Sequence, residues 1–185
     1  MILFINACVR EQSRTRRLAE RLLAKKGRPF AEVRTADVGF PVADEAFLQK
    51  REALVAAERF ADPLFDPARQ FAAAEEIVIA APCWDLSFPA SLKQYLEQIN
   101  VPGVTFYYTS EGVPQGLCRA GRLTYVTTVG GPVLPEEYGY GYVRALAQNF
   151  YGIRDVRLLA ATGLDIDGAD PEAILQAAFA EADTM

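Results

Sequence analysis

The first segment whose residue types could do chemistry lies between the N-terminal apolar run and the first helical pattern. It contains Arg10, Ser13 and Thr15, followed by leucines at helical spacing. Hydroxyl groups, an arginine and the free N–H groups at a helix N-terminus together can bind an anion such as phosphate. The alternative is that Ser13 or Thr15 only caps the helix while the arginines face solvent. No glycine-rich phosphate-binding motif is present to decide between the two.

A second segment could provide a flat surface for a planar ring. It consists of Pro82, Cys83, Trp84 and Asp85. It follows the apolar run 77–81, which is typical of a strand buried on both faces. Ligands of open α/β sheets bind beside loops at the carboxyl ends of strands, where Trp84 would form an aromatic wall. The alternative is that Trp84 only covers the end of the sheet.

A third segment could bring backbone close to the same ligand. It consists of Thr128, Val129, Gly130 and Gly131, and it follows a predicted strand over 122–128. Because glycine has no Cβ, the two glycines would let the backbone approach a ring closely. The alternative is that they form only a turn before Pro132.

The order of predicted elements indicates that these segments meet. Strands are predicted over residues 2–5, 32–35, 77–81, 122–128 and 156–161. Helices are predicted between these strands and after the last one: one that ends near Gly27, one over 43–60, one that begins at Pro89, one over 138–151 and one over 171–182. Alternation of strands and helices predicts a single three-layer α/β domain over residues 1–185 with a parallel sheet. Right-handed crossovers then place the loops after strands one, three and four at one edge.

The segment 104–108 interrupts this pattern. It is rich in β-forming residues and is followed by Gly112 and Gly116, which predicts an inserted β-arm or hairpin. Its consecutive aromatics, Phe106, Tyr107 and Tyr108, predict contact with a second copy of the chain, whereas the alternative is packing on their own domain.

Composition restricts the possible functions. The net charge of −5 gives no basic surface for nucleic acid, and no apolar run approaches the roughly 20 residues that a bilayer span needs. The three cysteines are an odd number without metal-type spacing, which fits a reducing cytoplasm. There is no histidine, so a histidine base, catalytic triad or histidine metal ligand is excluded for this chain. We expect no metal site.

Several motifs resemble one enzyme family, the flavodoxin-like FMN-dependent NAD(P)H:quinone oxidoreductases, which include the NADH azoreductases. The similar residues are Pro82-x-Trp84-x4-Pro89-x2-Leu92-Lys93, the arm Gly103 to Leu117, Thr127 to Gly131, and Ser13-x-Thr15. The resemblance implies a sheet of order 2-1-3-4-5, bound FMN, NADH or NADPH as the donor, and a homodimer. It also implies ping-pong, two-electron hydride transfer to quinones or azo compounds.

The roles of the three segments follow from this resemblance. Arg10, Ser13 and Thr15 would hold the FMN phosphate, and the residues 82–85 and 128–131 would contact the ring, with no obligatory catalytic side chain. Some positions depart from the family. Cys83-Trp84-Asp85 stands where azoreductases usually have Met-Tyr-Asn, and Val129 replaces an arginine. These departures concern the identity of the acceptor more than the flavin.

The sequence leaves open a non-catalytic binding module and two further functions. Cys8-x5-Arg14-Thr15 is similar to the loop of low-molecular-weight tyrosine phosphatases, in which a thiolate attacks phosphorus. No glycine lies between Cys8 and Arg14 to turn the N–H groups inward, and the general-acid Asp-Pro has only loose candidates. The second alternative is a flavodoxin-type electron carrier, although such carriers do not need the arm.

Overall fold

Strands and helices alternate as the sequence predicts in the computed structural model, which describes residues 1–185. The strands are β1 Ile2–Asn6, β2 Phe30–Arg34, β3 Glu76–Ala80, β4 Phe106–Tyr108, β5 Pro114–Gly116, β6 Arg122–Thr128 and β7 Asp155–Ala161. The α-helices are α1 Arg14–Lys26, α2 Glu45–Ala56, α3 Asp66–Ala73, α4 Ala90–Ile99, α5 Tyr140–Leu146 and α6 Pro171–Ala182.

Five strands form one parallel sheet in the order β2-β1-β3-β6-β7. Counted without the inserted strands, this is the predicted order 2-1-3-4-5, and the prediction of a flavodoxin-like sheet is confirmed. The strands β4 and β5 pair antiparallel as a separate hairpin, which confirms the predicted arm. Asn6 is level with Ala80 and Ala80 with Val126, so the loops after β1, β3 and β6 leave the same edge.

The central strands are buried on both faces, which explains their continuous apolar sequences. On one face, Phe4, Val78 and Val126 pack against the apolar sides of α1 and α6. On the other face, Ile5 and Ile79 pack into a core that includes residues of α3, α4 and α5. The sheet edge that carries the three loops is therefore held by helices on both sides.

Two predicted helices differ from the observed ones at their ends. The helix predicted over 43–60 is shorter, because the Asp44 side chain caps it by accepting a hydrogen bond from the Phe47 N–H (2.8 Å) and α2 already ends at Ala56. The helix predicted over 138–151 is divided into α5 and a π-helical turn, Ala147–Tyr151, which Gly152 ends with a φ of 76°. None of the helices combines the length and the apolar character that crossing a membrane requires.

Candidate functional site

A cleft of about 860 Å³ lies at the carboxyl ends of β1, β3 and β6. The predicted site residues that line it are Arg10, Ser13, Thr15, Pro82, Cys83, Trp84, Thr128, Val129 and Gly130. Asp85 and Gly131 adjoin these residues in the chain but do not line the cleft. A smaller depression of about 520 Å³ lies between α1 and α6, where Arg21 and Asp183 neutralise each other. The larger cleft is therefore the candidate site.

One end of the cleft is formed by the N-terminus of α1. The Ser13 Oγ accepts a hydrogen bond from the Arg16 N–H (3.3 Å). Ser13 is therefore the helix cap, which is the alternative role that the sequence left open for it. The N–H groups of Arg14 and Thr15 have no acceptor within the helix, because the first turn has no preceding carbonyls. These two N–H groups and the positive end of the helix dipole remain available to an anion.

Thr15 connects this helix to the end of β6. Its side chain is buried, and its Oγ1 lies 2.5 Å from the Thr128 Oγ1. Only one hydroxyl proton can lie between the two oxygens, so the other hydroxyl can donate elsewhere. The pair fixes the anion end of the cleft relative to the segment 128–131.

Three arginines surround the anion end, and two of them already have carboxylate partners. The Arg14 Nη1 lies 2.6 Å from the Asp165 Oδ1. Arg17 forms a bidentate pair with Glu172 at 2.7 and 2.8 Å, and its hydrogen bonds lower the pKa of that carboxyl. Arg10 has no such partner and is the uncompensated cation of the cleft.

The opposite wall is a tight turn that presents Trp84. The Trp84 N–H donates to the Ser87 carbonyl oxygen (3.1 Å), and the Ser87 N–H donates to the Trp84 carbonyl oxygen (2.8 Å). The two central residues, Asp85 and Leu86, have φ values of 50° and 69°, which makes this a type I′ turn. A leucine in this conformation costs about 1–2 kcal/mol. Two main-chain hydrogen bonds hold the turn against that strain.

The third wall is fixed by the loop 163–165, which is not among the site residues predicted from the sequence. The carbonyl oxygens of residues 129–131 accept hydrogen bonds from the N–H groups of Leu164 (3.2 Å), Asp165 (2.9 Å) and Gly163 (2.7 Å). The N–H groups of Gly130 and Gly131 have no acceptor in the chain. A Cβ on Gly130 would overlap the Asp165 carboxylate, which would have to move and strain its ion pair with Arg14.

The other missed lining residues are Val9, Glu11, Gln12, Arg14, Arg17 and Glu172. The segment 163–165 could have been found, because it follows the predicted strand 156–161 at the same sheet edge. The ion pairs Arg14–Asp165 and Arg17–Glu172 join distant parts of the sequence and have no local signal. No group of three or more cysteine, aspartate or glutamate side chains is placed to hold a metal ion.

The position of Cys8 contradicts the phosphatase hypothesis. Its side chain is only 3% exposed and packs into the core beside α1 and α6. Burial raises the pKa of its thiol to about 11, so the thiol is neutral near pH 7. Cys8 does not line the cleft, and no thiolate is therefore available to attack a phosphate bound there.

We expect the thiols to react in an order set by burial. At pH 8, iodoacetamide should label Cys83 first, because it borders the cleft, while Cys8 and Cys118 react only after unfolding. Burial raises the pKa of Cys118 to about 12. Peptide mass spectrometry over a time course measures the order. Fast labelling of Cys8, together with hydrolysis of an aryl phosphate that Cys8→Ser abolishes, would restore the phosphatase hypothesis.

Comparisons with known proteins agree with the fold. A family model described as the flavodoxin-like fold matches residues 1–185. An FMN-dependent NADH:quinone oxidoreductase of Clostridium perfringens is 35% identical over 92% of this chain and 90% of its own length. One from Coprothermobacter proteolyticus is 32% identical over 95% and 91%. The crystal structure of an azoreductase from Bacillus anthracis superposes with a TM-score of 0.85 at 24% identity, covering 99% of this chain and 96% of that one.

Proposed function

The chain belongs to the flavodoxin-like family of FMN-dependent NADH:quinone oxidoreductases and azoreductases, and from that premise we propose that it reduces quinones with NADH through bound FMN. Azo compounds are the second class of acceptor. When bound, FMN supplies two-electron hydride transfer in alternating half-reactions, as ping-pong kinetics require. NADH and one proton together convert a quinone to its hydroquinone.

The main support for this proposal is that backbone N–H groups without an acceptor lie at both ends of one cleft. At one end, Arg10, the Ser13 hydroxyl and the amides of Arg14 and Thr15 suit a phosphate dianion. At the other end, the lining residues 82–84 and 128–130 would hold the flavin ring, with Trp84 as one wall, and Asp85 and Gly131 would contact only its edge. The amides of Gly130 and Gly131 have no acceptor of their own. The cleft volume of about 860 Å³ is within the range of cofactor sites.

The chain would contribute oriented dipoles in place of a catalytic side chain. The carbonyl oxygens of residues 129–131 are already bound to the loop 163–165, so the amides of Gly130 and Gly131 are fixed before any ligand arrives. Fixed N–H dipoles stabilise negative charge at a ring edge without reorganisation. This role needs no histidine.

Two half-reactions test the proposed function directly. Under anaerobic conditions, NADH should bleach the flavin absorbance of the FMN-loaded protein, and a quinone added afterwards should restore it. A flavin that stays oxidised in excess NADH would contradict the proposal, as would a bleached flavin that neither a quinone nor an azo compound reoxidises.

We expect the rate of flavin reduction by NADH to change little between pH 6 and 8. Cys83 is the one thiol that borders the cleft, and burial raises its pKa above the ordinary 9.0. A raised pKa keeps the thiol neutral throughout this range, so the rate should change only at higher pH. Stopped-flow bleaching from pH 6 to 10 measures the profile. A steep step below pH 8 that persists in Cys83→Ser would contradict this prediction.

The active form would be a homodimer assembled through the arm. Phe106 is buried against Phe150 of its own domain, with ring centroids 4.9 Å apart. For this residue, the alternative of packing on its own domain is therefore the correct one. Tyr107, Tyr108 and Leu117 remain exposed on the same hairpin, and exposed aromatic patches of this kind support an interface.

We expect light scattering at micromolar concentration to give the mass of a dimer, and Tyr107→Ser/Leu117→Ser to give a monomer. Val42→Ser is the matched control, because Val42 is exposed elsewhere and should leave the dimer intact. A monomeric wild-type protein would contradict the proposed assembly.

A further inference from the structure

Two turns form a rim at the edge of the cleft. Trp84 lines the cleft, and the other residues of the two turns lie outside its lining. The first is the type I′ turn 84–87, and the second is the 3-10 turn Glu136–Tyr138. The Ser87 Oγ donates a hydrogen bond to the Tyr138 carbonyl oxygen (2.6 Å), so the two turns are joined. Leu86 is 63% exposed and Tyr138 is 58% exposed. We call Trp84 to Leu86 together with Glu136 to Tyr138 the acceptor rim.

The acceptor rim combines apolar surface with negative charge. Its carboxylates are Asp85, Glu136 and Glu137, all exposed and none in a salt bridge. No lysine or arginine occurs in residues 82–92 or 129–143. Of the next cations along the chain, Lys93 pairs with Glu97, and Arg144 lies 5.2 Å from the centre of the Tyr140 ring. Neither forms an ion pair with a carboxylate of the rim.

We infer that this protein selects uncharged, apolar ring compounds as electron acceptors and disfavours anionic ones. The inference rests on the proposed function, since the rim adjoins the wall where the flavin ring would lie. Leu86, Tyr138 and Trp84 offer apolar contact to a flat neutral molecule. Three uncompensated carboxylates repel a sulfonated quinone or a sulfonated azo dye, and this repulsion lowers the rate of encounter. The balanced reaction is unchanged, with NADH and one proton reducing the quinone to a hydroquinone.

The test compares an uncharged quinone, menadione, with an anionic naphthoquinone sulfonate on the FMN-loaded protein. The measured quantity is the ratio of their kcat/KM values, sulfonate over menadione. In Glu136→Gln/Glu137→Gln this ratio should rise about threefold over wild type at low salt, and the gain should vanish at about 0.5 M salt. Comparing ratios between variants cancels the different intrinsic reactivities of the two quinones.

The matched control is Glu52→Gln/Glu181→Gln, which changes the net charge by the same amount at exposed positions that make no side-chain hydrogen bond or ion pair. An unchanged ratio in the rim variant, or an equal rise in the control, would overturn the inference.

A second readout does not depend on turnover. Trp84 is the only tryptophan, so quenching of its fluorescence reports quinone binding beside the rim. Menadione should quench the Trp84 fluorescence at a lower concentration than the sulfonate does. In Glu136→Gln/Glu137→Gln, the two quenching concentrations should lie closer together. If the flavin is neither reduced by NADH nor reoxidised by an acceptor, but menadione still quenches Trp84 at lower concentration than the sulfonate, the proposed function is wrong. The inferred preference for uncharged compounds would then still stand. Absence of quenching by either quinone, as when a second copy covers the rim, would overturn the inference itself.

Discussion

Replacing Gly116 with alanine is expected to lower the melting temperature by about 6–12 °C. A Cβ on Gly116 would lie 2.1 Å from the carbonyl carbon of Tyr151 and 2.2 Å from the Gly152 nitrogen. Both are backbone atoms, which cannot rotate away, so β5 and the turn Ala147–Tyr151 must separate. Overpacking typically costs about 1–3 kcal/mol, and overlap with main chain belongs at the upper end.

Gly121→Ala is the matched control for this prediction. No heavy atom lies within 4 Å of its added Cβ, so its melting temperature should stay within about 2 °C of wild type. Scanning calorimetry measures both variants, and light scattering reports whether the displaced hairpin still supports a dimer. Equal, small shifts in the two variants would show that the arm is not packed against residues 147–152.

Arg10→Ala is expected to raise the dissociation constant of FMN about 10- to 100-fold while changing riboflavin binding little. A hydrogen bond between a cation and a phosphate contributes about 1.5–3 kcal/mol, and each 1.4 kcal/mol is a factor of ten. Arg14 and Arg17 already balance Asp165 and Glu172, so they cannot replace the lost charge fully. Riboflavin lacks the phosphate and therefore reports contacts of the ring and ribityl chain alone.

Arg21→Ala serves as the control, because Arg21 pairs with Asp183 away from the cleft and should affect neither ligand. Titration of the apoprotein with FMN and with riboflavin, followed by flavin fluorescence, gives the four dissociation constants. Equal losses for FMN and riboflavin in Arg10→Ala would show that Arg10 does not contact the phosphate.

The sequence predicted the parts of the site that depend on strand ends. Continuous apolar runs identify β1 and β3, and β-forming residues identify β6. Parallel strands in one sheet must end at one edge, so the loops that begin near Arg10, Pro82 and Thr128 could be brought together without a structure. The same rule applies to the loop after β7. Residues 163–165 contribute backbone N–H groups, which every non-proline sequence supplies. They also contribute the Asp165 carboxylate, whose partner Arg14 is distant in the sequence.

Other features depend on tertiary contacts and could not be predicted. The type I′ turn at Asp85 and Leu86 lacks the Asn-Gly signal of such turns. Its contact with a distant part of the chain is the hydrogen bond from the Ser87 Oγ to the Tyr138 carbonyl oxygen. The direction of the Cys8 side chain, which removes the phosphatase hypothesis, is set by its packing against α1 and α6. The partners of Arg14 and Arg17 are about 150 residues away in the chain, so only the fold selects Arg10 as the free cation.

The absorbance spectrum of the freshly purified protein tests the central claim most directly. Visible flavin bands should be present, or should appear after incubation with FMN and removal of the excess by desalting, at a single FMN per chain. Denaturation should release the flavin as unmodified FMN, because binding is noncovalent. A protein that is colourless as purified and still colourless after incubation with FMN and desalting would contradict the account.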